Sequence, residues 1–96
     1  MKIYVDIDNT ICKTKGMDYH LSEPIYENIN KINKLFSQGN KIIYWTARGS
    51  VSKINYYDLT KNQLDSWGCK FHKLSVGEKP AYDLLICDKT LRIEEL

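Results

Sequence analysis

Apolar residues along this 96-residue chain gather in short clusters with two different periods. Ile3, Tyr4 and Val5 form a β-branched and aromatic run of the kind that fills a buried strand. The run ends in two carboxylates that flank one apolar residue, Asp6-Ile7-Asp8. Asp is a poor strand residue, so the acids mark the strand's end. Ile11 to Leu21 is irregular, carries Gly16, and reads as a loop or small flap beyond the sheet. Ser22 is the expected N-cap of a helix with Glu23 and Pro24 in its first turn. Ile25, Ile29, Ile32 and Phe36 then recur at helical spacing with Leu35 beside them, and Gly39 is the stop.

The second half repeats this alternation. Lys41 to Trp45 is another continuous apolar run, leading straight into Thr46-Ala47-Arg48-Gly49, and Gly49 to Asn55 reads as a loop. A second helix ends at Gly68 with Leu64 and Trp67 facing inward, and Thr60 with Gln63 three residues later has the spacing of a capping box. Phe71 to Val76 predicts a third strand and Gly77-Glu78-Lys79-Pro80 a turn, because Pro80 biases Lys79 away from helix. Asp83 to Cys87 predicts a fourth strand, ending in Asp88-Lys89. Strand, helix, strand, helix, strand, strand is the order of an α/β chain with a short parallel sheet.

Composition narrows the class. Ninety-six residues make one domain, spanning 1–96, with a single modest core. A net charge of +2 with dispersed lysines does not favour nucleic acid or a membrane surface as partner. No apolar stretch approaches the ~18 residues of a membrane span and no signal segment is evident, so the expected location is the cytoplasm. Cys12, Cys69 and Cys87 show no C-x-x-C spacing, so neither a disulfide framework nor a zinc site is suggested. A cysteine phosphatase needs an Arg six residues beyond its Cys. Those positions hold Asp18, Ser75 and Ile93, which excludes it.

Three strand ends carry the chemistry. The first delivers Asp6 and Asp8, the second Thr46 and Arg48, and the fourth Asp88, with Lys79 in the turn before it. In an open parallel sheet, ligands bind outside the carboxyl ends of the strands. Carboxylates, a hydroxyl and a lysine gathered there suit a hard cation such as Mg²⁺ together with a phosphoryl group. Each residue has a plainer reading beside this one. Asp6 and Asp8 could be strand-end or capping acids, Thr46 a turn hydroxyl, Lys79 a solvated lysine, and Arg48 either a substrate contact or a surface salt bridge.

The ordered set tips the balance. Asp6-Ile7-Asp8-Asn9-Thr10 resembles the D-x-D-x-T motif of the haloacid dehalogenase-like phosphohydrolase superfamily. I-I-Y-W-T ending at Thr46 resembles its second motif, Lys79 the third and Asp88 the acidic fourth. W-T-A-R-G, Q-L-D-S-W-G and the K-P before the last strand are similar to small capless members linked to capsular polysaccharide biosynthesis. The resemblance implies a small Rossmann-like three-layer core, with helices on both faces of the sheet and no cap domain. It implies Asp6 as nucleophile and Asp8 as general acid and base. It also implies Mg²⁺ held by Asp6, the backbone carbonyl of Asp8 and Asp88, and phosphate contacts from Thr46, Lys79, Arg48 and Asn9. Relatives often carry paired acids where this chain has Cys87-Asp88, and a thiol is a poor Mg²⁺ ligand.

The expected activity is therefore a Mg²⁺-dependent phosphomonoester hydrolase acting on a phosphorylated sugar or sugar-nucleotide precursor. An open site without a cap implies a bulky substrate or a second subunit serving as lid. The alternatives are a polynucleotide end phosphatase, disfavoured by the weak charge, and a nearly silent phosphate-binding or regulatory module. A receiver-like signalling domain fits less well, because Thr46 stands where its phosphorylated Asp would be.

Overall fold

The structure, a computed structural model, describes residues 1–77 and the strand Leu84–Ile86. In chain order the elements are β1 (Lys2–Asp6), β2 (Cys12–Lys13), a 3₁₀ turn (Tyr19–Leu21) and β3 (Glu23–Pro24). They continue with α1 (Tyr26–Ser37), β4 (Lys41–Thr46), α2 (Tyr57–Ser66), β5 (Lys73–Val76) and β6 (Leu84–Ile86). The main sheet is parallel throughout with strand order β5-β4-β1-β6. This is a small α/β, Rossmann-like core, as the alternation of periods predicts. No helix among the described residues is long and apolar enough to cross a membrane.

Strand pleating sorts the apolar run into two faces. In the β1/β4 register Ile3 lies opposite Ile42 and Val5 opposite Tyr44, and these four pack with Ile29 and Ile32 of α1 and Leu64 of α2. Both described helices thus cover one face, which follows from two right-handed crossovers stepping in the same direction, β1 to β4 to β5. Tyr4 and Trp45 meet on the opposite face, where Ile43 is also buried. The segments after β5 and β6, where a helix for that face is expected, lie outside the described residues. Because β6 adds to the other side of β1, the strand order reverses between them. Asp6 therefore ends the strand beside the reversal point, where α/β sheets open a crevice for ligands.

Three local expectations are revised. The flap is not wholly irregular, because Cys12-Lys13 pairs antiparallel with Glu23-Pro24, and Ile25 N–H extends the hairpin by donating to the Ile11 carbonyl at 2.8 Å. Ser22 therefore precedes a strand and does not cap α1, which starts at Tyr26. Pro24, with no N–H, sits in a two-stranded ribbon where no ladder donor is needed. Thr60 and Gln63 do not cap α2 either. Its start is set by Asn55, whose Oδ1 accepts the Tyr57 N–H at 2.9 Å, and Thr60 N–H already donates to the Tyr56 carbonyl inside the helix. Gly39 does terminate α1, in the left-handed conformation at φ 92° that glycine adopts freely.

The core assignment predicts unequal costs for two truncations. Ile42→Ala, at a wholly buried site, should lower unfolding free energy by about 2–5 kcal/mol. Val51→Ala, at a site 90% exposed, should stay within about 0.5 kcal/mol of wild type. Urea unfolding followed by circular dichroism measures both.

Candidate active site

The parallel register brings the two chemistry-bearing strand ends side by side. Asp6 is paired with Trp45, so Thr46 stands one residue further out on β4. Ile7 N–H still donates to the Trp45 carbonyl at 3.1 Å, after which the chain turns sharply. Thr10 and Ile11 N–H groups both return to the Ile7 carbonyl, and Asn9 takes φ 65°, a conformation Asn tolerates better than most residues. This turn holds Asp8 over the end of β4. Thr46 Oγ1 donates to Asp8 Oδ2 at 2.9 Å and accepts the Arg48 backbone N–H at 3.3 Å.

Arg48 is the hub of the site, and it is only 1% exposed. Its Nη2 donates to Asp8 Oδ1 at 2.7 Å and its Nε lies 3.1–3.2 Å from both carboxylate oxygens. Its Nη1 donates to Gln63 Oε1 at 2.6 Å and Thr60 Oγ1 at 3.2 Å, while Nη2 also reaches Ser22 Oγ at 3.3 Å. The five N–H groups of the guanidinium thus all have acceptors. The Tyr19 ring closes over the cation at 4.8 Å. Gln63 carries the linkage on, its Nε2 donating to the Tyr19 carbonyl at 2.6 Å. Arg48 thereby ties the end of β1, the flap and α2 into one unit. Gly49, at φ 84°, sets the path of the chain beyond it, since a Cβ there would collide with the Ile54 carbonyl oxygen.

The flap hydroxyls complete a ring. Thr14 Oγ1 donates to Asp8 Oδ1 at 2.8 Å and lies 2.7 Å from Ser22 Oγ. With the Thr14 proton directed at the carboxylate, Ser22 is the donor to Thr14. Burial pushes the Asp8 carboxyl up, but the Arg48 hydrogen bonds and charge, with the Thr14 and Thr46 hydroxyls, outweigh it and hold it below the usual carboxylate range. Asp8 is ionised. Burial pushes the neighbouring Cys12 thiol up, so it remains a small apolar side chain.

Of the residues singled out from the sequence, Asp8, Thr46 and Arg48 are in direct contact, Asp6 stands on the same sheet edge, and Asn9 is exposed at the turn. Lys79, Cys87 and Asp88 lie outside the described residues. Arg48, expected as a phosphate contact or a surface salt bridge, forms a buried ion pair with Asp8. It is neither on the surface nor free, because Asp8 and the hydroxyl and amide acceptors use its whole fork. Among the described residues no third His, Cys, Asp or Glu joins Asp6 and Asp8 in a group that could hold a metal. The Asp8 carboxylate is occupied by cationic and hydroxyl donors.

Thr14, Ser22, Thr60 and Gln63 were not anticipated as site residues. Only Thr60 and Gln63 carried a usable signal, since a spacing of three also places two side chains on one helix face.

No protein-family model and no curated protein matches the chain. Among solved structures, it is similar to the crystal structure of an MCSG target from Vibrio cholerae. The two are 23% identical with a TM-score of 0.78, over 98% of this chain and 85% of the other. The likeness establishes the fold.

A depressed Asp8 pKa stabilises the folded state above the ordinary carboxylate value of about 3.9, and that contribution disappears as pH falls through the lower, folded-state value. Wild type should therefore exceed Asp8→Asn in urea stability at about pH 6, and the gap should close in this acidic window. A gap unchanged down to about pH 2 would contradict the ion pair.

Proposed function

We propose that the chain is a Mg²⁺-dependent phosphomonoester hydrolase of the haloacid dehalogenase-like type, working through an aspartyl-phosphate on Asp6. The observation that supports this most is the placement of Asp6 and an ionised, hydroxyl-ringed Asp8 beside Thr46 at the reversal point of the sheet. The commitment of Asp8 to Arg48 suits it to proton transfer, and Asp6, the last residue of β1, is the acid we assign as nucleophile.

In the first half-reaction an Asp6 carboxylate oxygen attacks phosphorus while the bond from phosphorus to the ester oxygen breaks. In the second, Asp8 accepts a proton from water, the water oxygen attacks phosphorus, and the bond to Asp6 breaks, returning the free carboxylate and inorganic phosphate. Asp8 is held in the basic form that the second half needs. Protonating an alkoxide leaving group in the first half requires that Asp8 first take up a proton, and Arg48 opposes this. Thr46 can turn its hydroxyl from Asp8 toward a phosphoryl oxygen, and Lys79 supplies a cation for the transferring group. A bound Mg²⁺, held by Asp6, the Asp8 carbonyl and Asp88, would screen the repulsion between nucleophile and substrate. The substrate we assign is a phosphorylated sugar or related precursor, in the cytoplasm.

A second reading, a phosphate-binding module with little turnover, is favoured by the same clamp on Asp8. The two separate on a p-nitrophenyl ester, whose leaving group departs without a proton. Wild type should turn over with Mg²⁺ and stop with chelator, and Asp6→Asn should be inactive. Asp8→Asn should release about one equivalent of nitrophenol and then stall, with steady turnover reduced about 10²–10⁴-fold. No Mg²⁺-dependent turnover in wild type would leave the binding module. Steady activity in Asp6→Asn would remove the nucleophile assignment.

A further inference from the structure

Gln63 has two partners that make opposite demands. Arg48 Nη1 can only donate, and the Tyr19 carbonyl can only accept. They lie 2.6 Å from the two ends of one side-chain amide, Oε1 and Nε2 respectively. The orientation of that amide is therefore dictated by its neighbours. A carboxylate of the same shape lacks the donor, an ammonium or guanidinium lacks the acceptor, and an aliphatic side chain lacks both. Capping of α2 does not account for the choice, because Asn55 sets the start of that helix.

The flap needs such a tie. Its ladder is two residues long on each strand, its 3₁₀ turn contains no buried residue, and Met17 and Leu21 are 68% and 75% exposed. With so little apolar burial, the tip depends on side-chain contacts for its position. At the base of the flap, Thr14 and Ser22 reach Asp8 and Arg48. At the tip, the Tyr19 ring covers the guanidinium and meets Tyr56 edge-on at 4.9 Å, and the Tyr19 carbonyl meets Gln63. The same carbonyl accepts the Ser22 N–H at 3.2 Å, so a bond made there holds the turn, the ring and the Ser22 hydroxyl together. At its other end, Gln63 holds Nη1. The guanidinium is planar, so fixing Nη1 also fixes the Nη2 and Nε contacts to Asp8.

We propose that Gln63 is the positioning residue that locks the flap to Arg48 and, through Arg48, fixes the Asp8 carboxylate. Its action on catalysis rests on the hydrolase reading above; the bridge does not.

Gln63→Glu isolates the bridge, because it keeps the shape and the acceptor for Arg48 but sets an oxygen against the Tyr19 carbonyl. Hydrogen exchange of the full chain should show the Leu21 and Ser22 amides about tenfold faster than in wild type, the effect of one hydrogen bond, with Thr60 and Trp67 at either end of α2 unchanged. On p-nitrophenyl phosphate with Mg²⁺, the variant should release about one equivalent of nitrophenol and then turn over about tenfold more slowly than wild type, since only the second half-reaction calls on Asp8. Lys61→Gln, at an exposed position of the same helix, should match wild type in both measurements. Flap amides that exchange as in wild type would overturn the bridge, and so would equal acceleration in the flap and α2. Burst and steady phases slowed by the same factor would overturn the positioning of Asp8. Faster flap exchange in a protein with no aryl phosphatase activity would remove the hydrolase reading and leave the bridge standing.

Discussion

A guanidinium withdrawn from water in a domain of this size needs a carboxylate opposite it and an acceptor for every remaining N–H, and Arg48 has both. Its side chain is fully buried against Asp8, which keeps 21% of its own side chain exposed. Removing one partner of such a pair leaves an uncompensated charge and costs about 3–5 kcal/mol, far more than a surface salt bridge contributes. Its acceptors come from separate parts of the chain, Asp8 from the end of β1, Ser22 from the flap, and Thr60 and Gln63 from α2. The pair therefore fixes where the flap lies as well as where the carboxylate points.

That constraint also bears on the two acids of the opening motif, Asp6 and Asp8. Side by side in sequence they look equivalent and mutually repulsive. In the fold Asp8 receives the Arg48 cation through Nε and Nη2 together with the Thr14 and Thr46 hydroxyl protons, and Asp6 ends β1 beside the reversal in strand order. A network that stabilises the Asp8 anion favours proton acceptance and disfavours proton donation. In the proposed reaction, a substrate whose leaving oxygen needs a proton would have to loosen the clamp to react.

The sheet was legible in the sequence because its signal is local. Ile3 to Val5 and Lys41 to Trp45 are continuous apolar runs that stop at Asp6 and Thr46, so strand, strand end and candidate site were marked together. The clamp was not legible, because each of its residues carries a local signal for something else. Ser22 followed by Glu23-Pro24 is a fair helix start, yet its hydroxyl is taken by Arg48, 26 residues away, and by Thr14. Thr60 and Gln63 have the spacing of a capping box, which is also the spacing of two neighbours on one helix face. Arg48 offered no pattern that separates a surface fork from a buried one. Burial of that side chain is a tertiary fact, set by the flap folding over it.

The most direct test of the central assignment is chemical capture of the intermediate. Protein mixed with ³²P-labelled acetyl phosphate and Mg²⁺, quenched in acid and digested, should carry acid-stable, base-labile label on the peptide containing Asp6, and more of it in Asp8→Asn than in wild type. Label on another carboxylate, or rapid phosphate release with no labelled peptide in either protein, would contradict Asp6 as the nucleophile.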